Sequence, residues 1–318
     1  MELYSANIRI TYITVGFLLY VVGISGNSLI IWTFIRIKRL RIVQNVFVIL
    51  LAVVDLLIIG YMLPSATIAL IWNREPVSRE VCIFNGIIGH LLFTSCLQYV
   101  TCIAVSRYVR ICHSRKFDRI YTKRNVSLIC IFCFLYWCIS VFPLLSLKRS
   151  LIFEKDMHVC IFNRFENKIY TNLYTTFCLI FPIGLTAFCY IKIYIYVRTA
   201  KLKLYKKWNN GIARQRILHE LIITRCQFAI FVAYLIFYLP FGISTTIGFI
   251  SGIDISWLST FGMYLGFANS CINSILYGAM NRNIRHAYFE SLCCLNKNKH
   301  VRMHIANTAP STLSSCVW

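Results

Sequence analysis

The chain has 318 residues, 58% of them hydrophobic and 14% charged, with a mean hydropathy of +0.66. Soluble domains are about 45–50% apolar and about 25% charged, so this composition excludes an ordinary soluble fold and points to a polytopic membrane protein. The formal net charge of +22 would suit nucleic acid, but its placement along the chain marks membrane topology instead, and no nucleic-acid partner is expected.

Seven long apolar stretches follow one another, at residues 10–35, 46–71, 83–111, 126–147, 170–197, 221–250 and 255–277. About 20 apolar residues cross the ~30 Å hydrocarbon core as a helix, so each is long enough to span it. The links are short and polar, which predicts one bundle, and no repeat of 20–50 residues is visible. The expected fold is an all-α, seven-transmembrane helix bundle over residues 1–294, with a short amphipathic helix at 282–292 and a short cytoplasmic tail at 295–318. The start has no basic region and no small-residue cleavage site, so no cleavable signal peptide is expected.

Lys and Arg set the orientation. With the N-terminus outside, the outer segments hold Arg9, Arg74, Arg79, Lys148, Arg149, Lys155, Arg164 and Lys168, eight of the 33. The other 25 fall on the opposite side, and seven acids, Glu2 and Asp254 among them, fall outside. The split predicts an extracellular N-terminus and a cytoplasmic C-terminus in the plasma membrane. The inner charge also matches anionic inner-leaflet lipids.

Segment 1 carries Gly26 and Asn27, and segment 2 carries Asp55 deep in an apolar run. A carboxylate at that depth needs a partner, a proton or a cation. Two readings stay open: a neutral Asp55 that glues helices, or a polar pocket shared with Asn27, Asn269, Ser270 and Asn273. Pro64 should kink segment 2 near its outer end.

Segment 3 opens at Cys82 and closes on Ser106-Arg107-Tyr108. Only Cys82 and Cys160 of the 15 cysteines lie in outer segments, where oxidation is allowed, so they are expected to form a disulfide. His90 is a lone ionisable residue in the outer half of segment 3. It is either a neutral packing histidine or a ligand contact. Cys130 and Cys133 have a C-x-x-C spacing inside an apolar helix, with no second pair, and read as packing. Segments 4, 5 and 6 contain Pro143, Pro182 and Pro240, each of which removes a backbone hydrogen bond and bends its helix. Glu220 is the only acid between Glu166 and Asp254. It either pairs with Arg107 across the inner face or stands exposed. Asn269 and Asn273, four apart in segment 7, share a face. Cys293 and Cys294 follow the amphipathic stretch and are either palmitoylated or plain interfacial cysteines.

These residues together resemble the rhodopsin-like family of G-protein-coupled receptors over roughly residues 10–294. Gly26-Asn27, Asp55 with the four residues before it, Ser106-Arg107-Tyr108, Trp137, Pro182, Tyr190, Pro240 and Asn273-Ser274-Ile275-Leu276-Tyr277 stand in the expected order. Serine replaces the acid before Arg107 and the proline after Asn273. A narrower likeness is to melatonin receptors, in the segment-3 exit Ser106–Tyr121 and the segment-7 exit Asn269–Tyr288.

The resemblance implies an extracellular ligand, a heterotrimeric G protein and no enzyme activity. It implies a switch built from Arg107, Tyr108, Glu220, Tyr190, Tyr238, Pro240, Asn273 and Tyr277, and a sodium ion at Asp55, where Cys96 replaces a serine. It places the ligand among Gly89, His90, Phe162, Cys178, Tyr238 and Phe267. Cys178 stands where melatonin receptors have histidine, Arg164 where they have glutamine, and Tyr238 where the family has tryptophan. The likeness therefore lies at the inner, transducing end and leaves the ligand unidentified. An amine lacks its carboxylate, since Gly89 holds that place, and retinal lacks its lysine, since Phe267 holds that one. A chemosensory or constitutively active receptor of the same fold is the alternative. A membrane transporter is more distant, because only one buried acid and no repeat occur.

Overall fold

The computed structural model describes residues 6–72, 78–146, 151–155, 157–204, 211–251 and 256–293. Cys294, the tail at 295–318 and the outer charges Arg74, Lys148, Arg149 and Asp254 lie outside them.

Segment 1 is α1 (Ala6–Arg36). Segment 2 is α2 (Val46–Leu57) and α3 (Leu63–Trp72), joined by a π-helical turn, Ile58–Met62. Segment 3 is α4 (Arg79–Cys112), followed by the short α5 (Ser114–Ile120). Segment 4 is α6 (Lys123–Ser146). Segment 5 is α7 (Lys168–Tyr174), a second π-helical turn at Thr175–Ile180, and α8 (Phe181–Leu204). Segments 6 and 7 are α9 (Gly211–Ser251) and α10 (Ser256–Met280), and α11 (Arg282–Cys293) follows.

Among the described residues six helices are long and apolar enough to cross a membrane by length and composition. The seventh, α10, is more polar, and its polar groups face inward: Ser259, Thr260, Asn269, Ser270, Asn273 and Ser274 are all buried. Outward the bundle is apolar, with Phe17, Phe132, Ile139, Phe142 and Ile236 each more than 60% exposed. In water such a surface would aggregate; in hydrocarbon it is the solvated face.

Both π-turns lie just before a proline, Pro64 or Pro182. A proline lacks the N–H that the preceding turn would bond, and a widened turn absorbs the mismatch. Pro240 and Pro143 sit inside α9 and α6.

Two elements have no counterpart in the apolar pattern. One is α5. The other is a two-stranded antiparallel hairpin in the loop before segment 5, β1 (Leu151–Glu154) with β2 (Val159–Phe162), which pairs Phe153 with Cys160. The hairpin lies on the outer end of α4, where Gly86 leaves room for Leu151: a methyl group at Gly86 would come within 2.7 Å of that side chain.

Candidate ligand and switch sites

Cys82 and Cys160 are joined by a disulfide with a Cα–Cα distance of 5.3 Å, across 78 residues of chain. It holds β2 against α4, and so carries Phe162 over the bundle. The Phe162 ring meets Tyr170 at 5.0 Å and Tyr174 and His90 at 6.4 Å.

His90, Phe93 and Thr94 lie on one face of α4 because residues three and four apart stack on a helix. The His90 ring tilts against Tyr174 at 4.4 Å, and the Tyr174 and Thr94 hydroxyls are 3.0 Å apart. One turn deeper, Phe93 meets Tyr238 at 6.1 Å and Phe267 at 6.2 Å. Four of the six candidate pocket residues thus belong to two aromatic groups on successive turns of α4: His90 and Phe162 in the first, Tyr238 and Phe267 in the second. The other two turn away. Gly89 packs on Met62 of segment 2, and the Cys178 sulfur lies 3.4 Å from the Tyr136 hydroxyl on segment 4. Tyr174 and Phe93 are the members that sequence reasoning missed. Tyr174 sits two turns before Pro182, but nothing local distinguishes it.

In the middle of the bundle, Asp55 is fully buried. It accepts a hydrogen bond from Asn273 Nδ2 at 2.8 Å, and the Cys96 thiol lies 3.6 Å from its other oxygen. Asn27 does not reach Asp55. Its Nδ2 donates to the carbonyls of Ser270 at 2.8 Å and Gly23 at 3.0 Å, which ties α1 to α10. Asn269 Oδ1 and Ser270 Oγ are buried without a protein hydrogen bond. The Asp55 carboxylate, with the Ser270 side chain beside it, offers oxygen to a small hard cation, and the Cys96 sulfur in place of a hydroxyl weakens that fit.

At the inner end, Arg107 Nη1 donates to Glu220 Oε2 at 3.2 Å, linking α4 to α9. Of the two readings of Glu220, the paired one is what the structure contains. A second arginine joins it. Arg110 Nε reaches the other Glu220 oxygen at 3.3 Å, and Arg110 Nη1 lies 3.6 Å from Asp118 in α5. Arg110 was legible in principle, since it stands three residues after Arg107 on the same helix face. Ser106 spends its hydroxyl on the Ile103 carbonyl at 2.8 Å, while Arg107 meets the Glu220 carboxylate on α9.

Tyr190 and Tyr277 are buried nearby, and Tyr190 stacks on Phe231 at 5.8 Å. Tyr108 points the other way, with its hydroxyl 3.0 Å from His113 Nε2. Pro240 lies two residues past Tyr238, where Gly262 of α10 meets the Phe241 backbone. Cys293 ends α11, whose buried Ile284 and Ala287 face the bundle.

The family model for the 7 transmembrane receptor (rhodopsin family) matches residues 26–277. Melatonin receptor type 1C of Gallus gallus is 27% identical over 305 residues, covering 93% of this chain and 85% of the relative. Melatonin receptor type 1B-B of Danio rerio is 29% identical over 278 residues, covering 84% and 77%. Melatonin receptor type 1A of Mus musculus is 29% identical over 286 residues, covering 86% and 78%. The crystal structure of squid rhodopsin superposes with a TM-score of 0.78 at 17% identity, covering 96% of this chain and 93% of that one, and supports the fold. The seven-helix bundle and the match across nearly all of it agree: the chain belongs to the rhodopsin family of seven-transmembrane, G-protein-coupled receptors.

Proposed function

We propose that the protein sits in the plasma membrane with its N-terminus outside, takes an extracellular ligand among His90, Phe162, Tyr238 and Phe267, and answers by moving α9. The ligand favours whichever state it binds better, and can shift the balance only by that difference in affinity. In the resting state Glu220 holds Arg107 and Arg110 and keeps α9 against α4. Movement of α9 about Pro240, with Tyr238 repacking, parts these groups and opens a cleft for a heterotrimeric G protein, with Tyr190 and Tyr277 on its walls. The Arg107–Glu220 contact carries this reading, because it joins two helices whose separation the switch requires. A sodium ion held by Asp55 with Asn269, Ser270 and Asn273 would supply a fixed positive charge that favours the resting arrangement. Palmitoylation at Cys293 and Cys294 would fasten the chain after α11 to the inner leaflet.

The test is a ligand panel, with melatonin included, on cells expressing the chain, read by G-protein dissociation. Dissociation driven by at least one ligand is expected. Failure of every ligand together with absence of basal turnover would overturn the reading. A constitutively active receptor is the second reading, favoured by Ser106, which puts a hydroxyl rather than an acid next to Arg107; high turnover in the absence of any ligand would establish it.

A further inference from the structure

The widened turn in segment 5 leaves a backbone group without its helical partner, and a side chain of segment 4 meets it. Across Thr175–Ile180 the N–H groups reach back five residues, as the Phe181 N–H does to the Thr176 carbonyl. The next carbonyl in that series belongs to Phe177. The residue five further on is Pro182, which has no N–H to give. Phe177 lies within the span Lys168–Thr199 with its ring exposed on the outside of the bundle, where hydrocarbon offers no water in exchange. The Tyr136 hydroxyl of α6 donates to the Phe177 carbonyl at 2.6 Å and so takes the place of the missing N–H.

A second bond runs the other way, further out. The Tyr170 hydroxyl of α7 donates to the Ser140 carbonyl of α6 at 2.5 Å. Tyr136 and Ser140 are four apart, so both bonds fasten the outer half of segment 5 to one face of α6. Between the two fastenings stands Tyr174, with its ring on His90 at 4.4 Å and its hydroxyl 3.0 Å from that of Thr94. A helix turns about 100° per residue and a widened turn holds one residue more than an α turn, so its collapse would swing Tyr174 by about that angle, away from His90.

We propose that Tyr136 is a positioning residue of the outer site: its hydroxyl stands in for the N–H that Pro182 lacks, holds the turn open, and so keeps Tyr174 of segment 5 against His90 of α4. The functional meaning rests on the receptor reading above; the clasp itself needs neither ligand nor G protein. The rival is a tyrosine that only fills space between segments 4 and 5.

The experiment uses the full chain purified in detergent, with 3-fluorotyrosine built in at position 174 and its fluorine resonance recorded without ligand. His90→Leu gives the resonance of a Tyr174 that has lost the histidine ring. Tyr136→Phe keeps a ring and removes the donor, and its resonance is expected to move toward that of His90→Leu. A resonance that stays with the parent, or moves elsewhere, would overturn the proposal. Melting temperatures give an independent measure. Tyr136→Phe is expected to melt about 1–4 °C below the parent, the size of one lost hydrogen bond in a long chain. Beside Pro182→Ala, which returns an N–H to position 182, the same change should cost less than half as much, because the carbonyl no longer depends on Tyr136. Tyr170→Phe, whose acceptor lies on α6, should cost the same in both backgrounds. An equal cost of Tyr136→Phe in both backgrounds would establish the space-filling rival. If Pro182→Ala does not fold, the fluorine measurement decides alone. G-protein nucleotide exchange on the same chain separates the two readings. The fluorine shift without exchange under any condition supports the clasp and overturns the receptor reading; exchange without the shift overturns the clasp alone.

Discussion

Arg107 is 3% exposed and Glu220 25%, while Arg110 is 35% exposed, and these differences set what each contributes. A buried guanidinium that loses its carboxylate is left uncompensated, which costs ~3–5 kcal/mol in buried pairs, less here because Glu220 is partly solvated. An exposed pair such as Arg110–Glu220 contributes about 0.2–1 kcal/mol. Glu220→Gln is therefore expected to raise basal G-protein nucleotide exchange severalfold, and Arg110→Gln by up to about fivefold. Both act through the same carboxylate, so the double variant should exceed Glu220→Gln by little. Exchange measured on membranes decides the matter: an unchanged basal rate in Glu220→Gln would remove the lock, and additive effects would separate Arg110 from it. At Asp55, Cys96→Ser replaces a weak sulfur neighbour by a hydroxyl, a better ligand for a hard cation. Basal exchange in that variant should fall more steeply with added sodium than in the parent; identical sodium dependence would argue against an ion at Asp55.

Helix contacts show where movement has room and where it does not. The outer half of α9 is joined closely to α10. A methyl group at Gly262 would stand 2.5 Å from the Phe241 nitrogen, and the Ser244 and Ser259 hydroxyls are 2.5 Å apart. Small residues let helices approach this closely in a membrane, where packing rather than the hydrophobic effect drives association. Gly262→Ala is expected to force the helices apart and cost about 1–3 kcal/mol, as overpacking does. Gly242→Ala, whose added methyl group would meet nothing within 4 Å, should leave the melting temperature unchanged or slightly higher. Thermal melts of the two purified variants test this, and equal melts would mean that the contact is unimportant. The inner half of α9 is held differently, by Glu220 and by the Cys226 thiol on the Leu276 carbonyl at 3.5 Å. The polar contacts at that end are the ones that part if α9 pivots near Pro240.

For the whole molecule, the charge distribution predicts a single orientation. An N-terminal epitope should be reached by antibody on intact cells, and a C-terminal epitope only after permeabilisation. Both ends found in one compartment would refute a seven-span topology. The outer end is fastened in two further ways. The Cys82–Cys160 bridge holds the hairpin, and Arg9 of α1 donates to the Leu70 and Ile71 carbonyls at the end of α3, at 3.2 and 2.9 Å. Those carbonyls have no partner within their own helix, and a cation there also meets the negative end of its dipole. Loss of the bridge in Cys160→Ser should cost ~2–5 kcal/mol and lower surface expression, measured by flow cytometry with an N-terminal epitope.

The apolar runs by themselves determined that helices cross a membrane and where, because the length of hydrocarbon to be crossed is a local demand on consecutive residues. The seventh run was legible despite its polar content, since Asn269, Ser270, Asn273 and Ser274 belong inside a bundle. The cysteine pair was legible because only two of the 15 cysteines fall in segments expected outside. What the sequence left undecided was which side chains meet. Glu220 stands 113 residues from Arg107, and no periodicity distinguishes a paired carboxylate from an exposed one. The turn of Cys178 toward Tyr136, the place of Tyr174 beside His90 and the hairpin over α4 likewise depend on the rotation and spacing of whole helices. Those are set by packing between segments distant in the chain, and only the tertiary structure contains it.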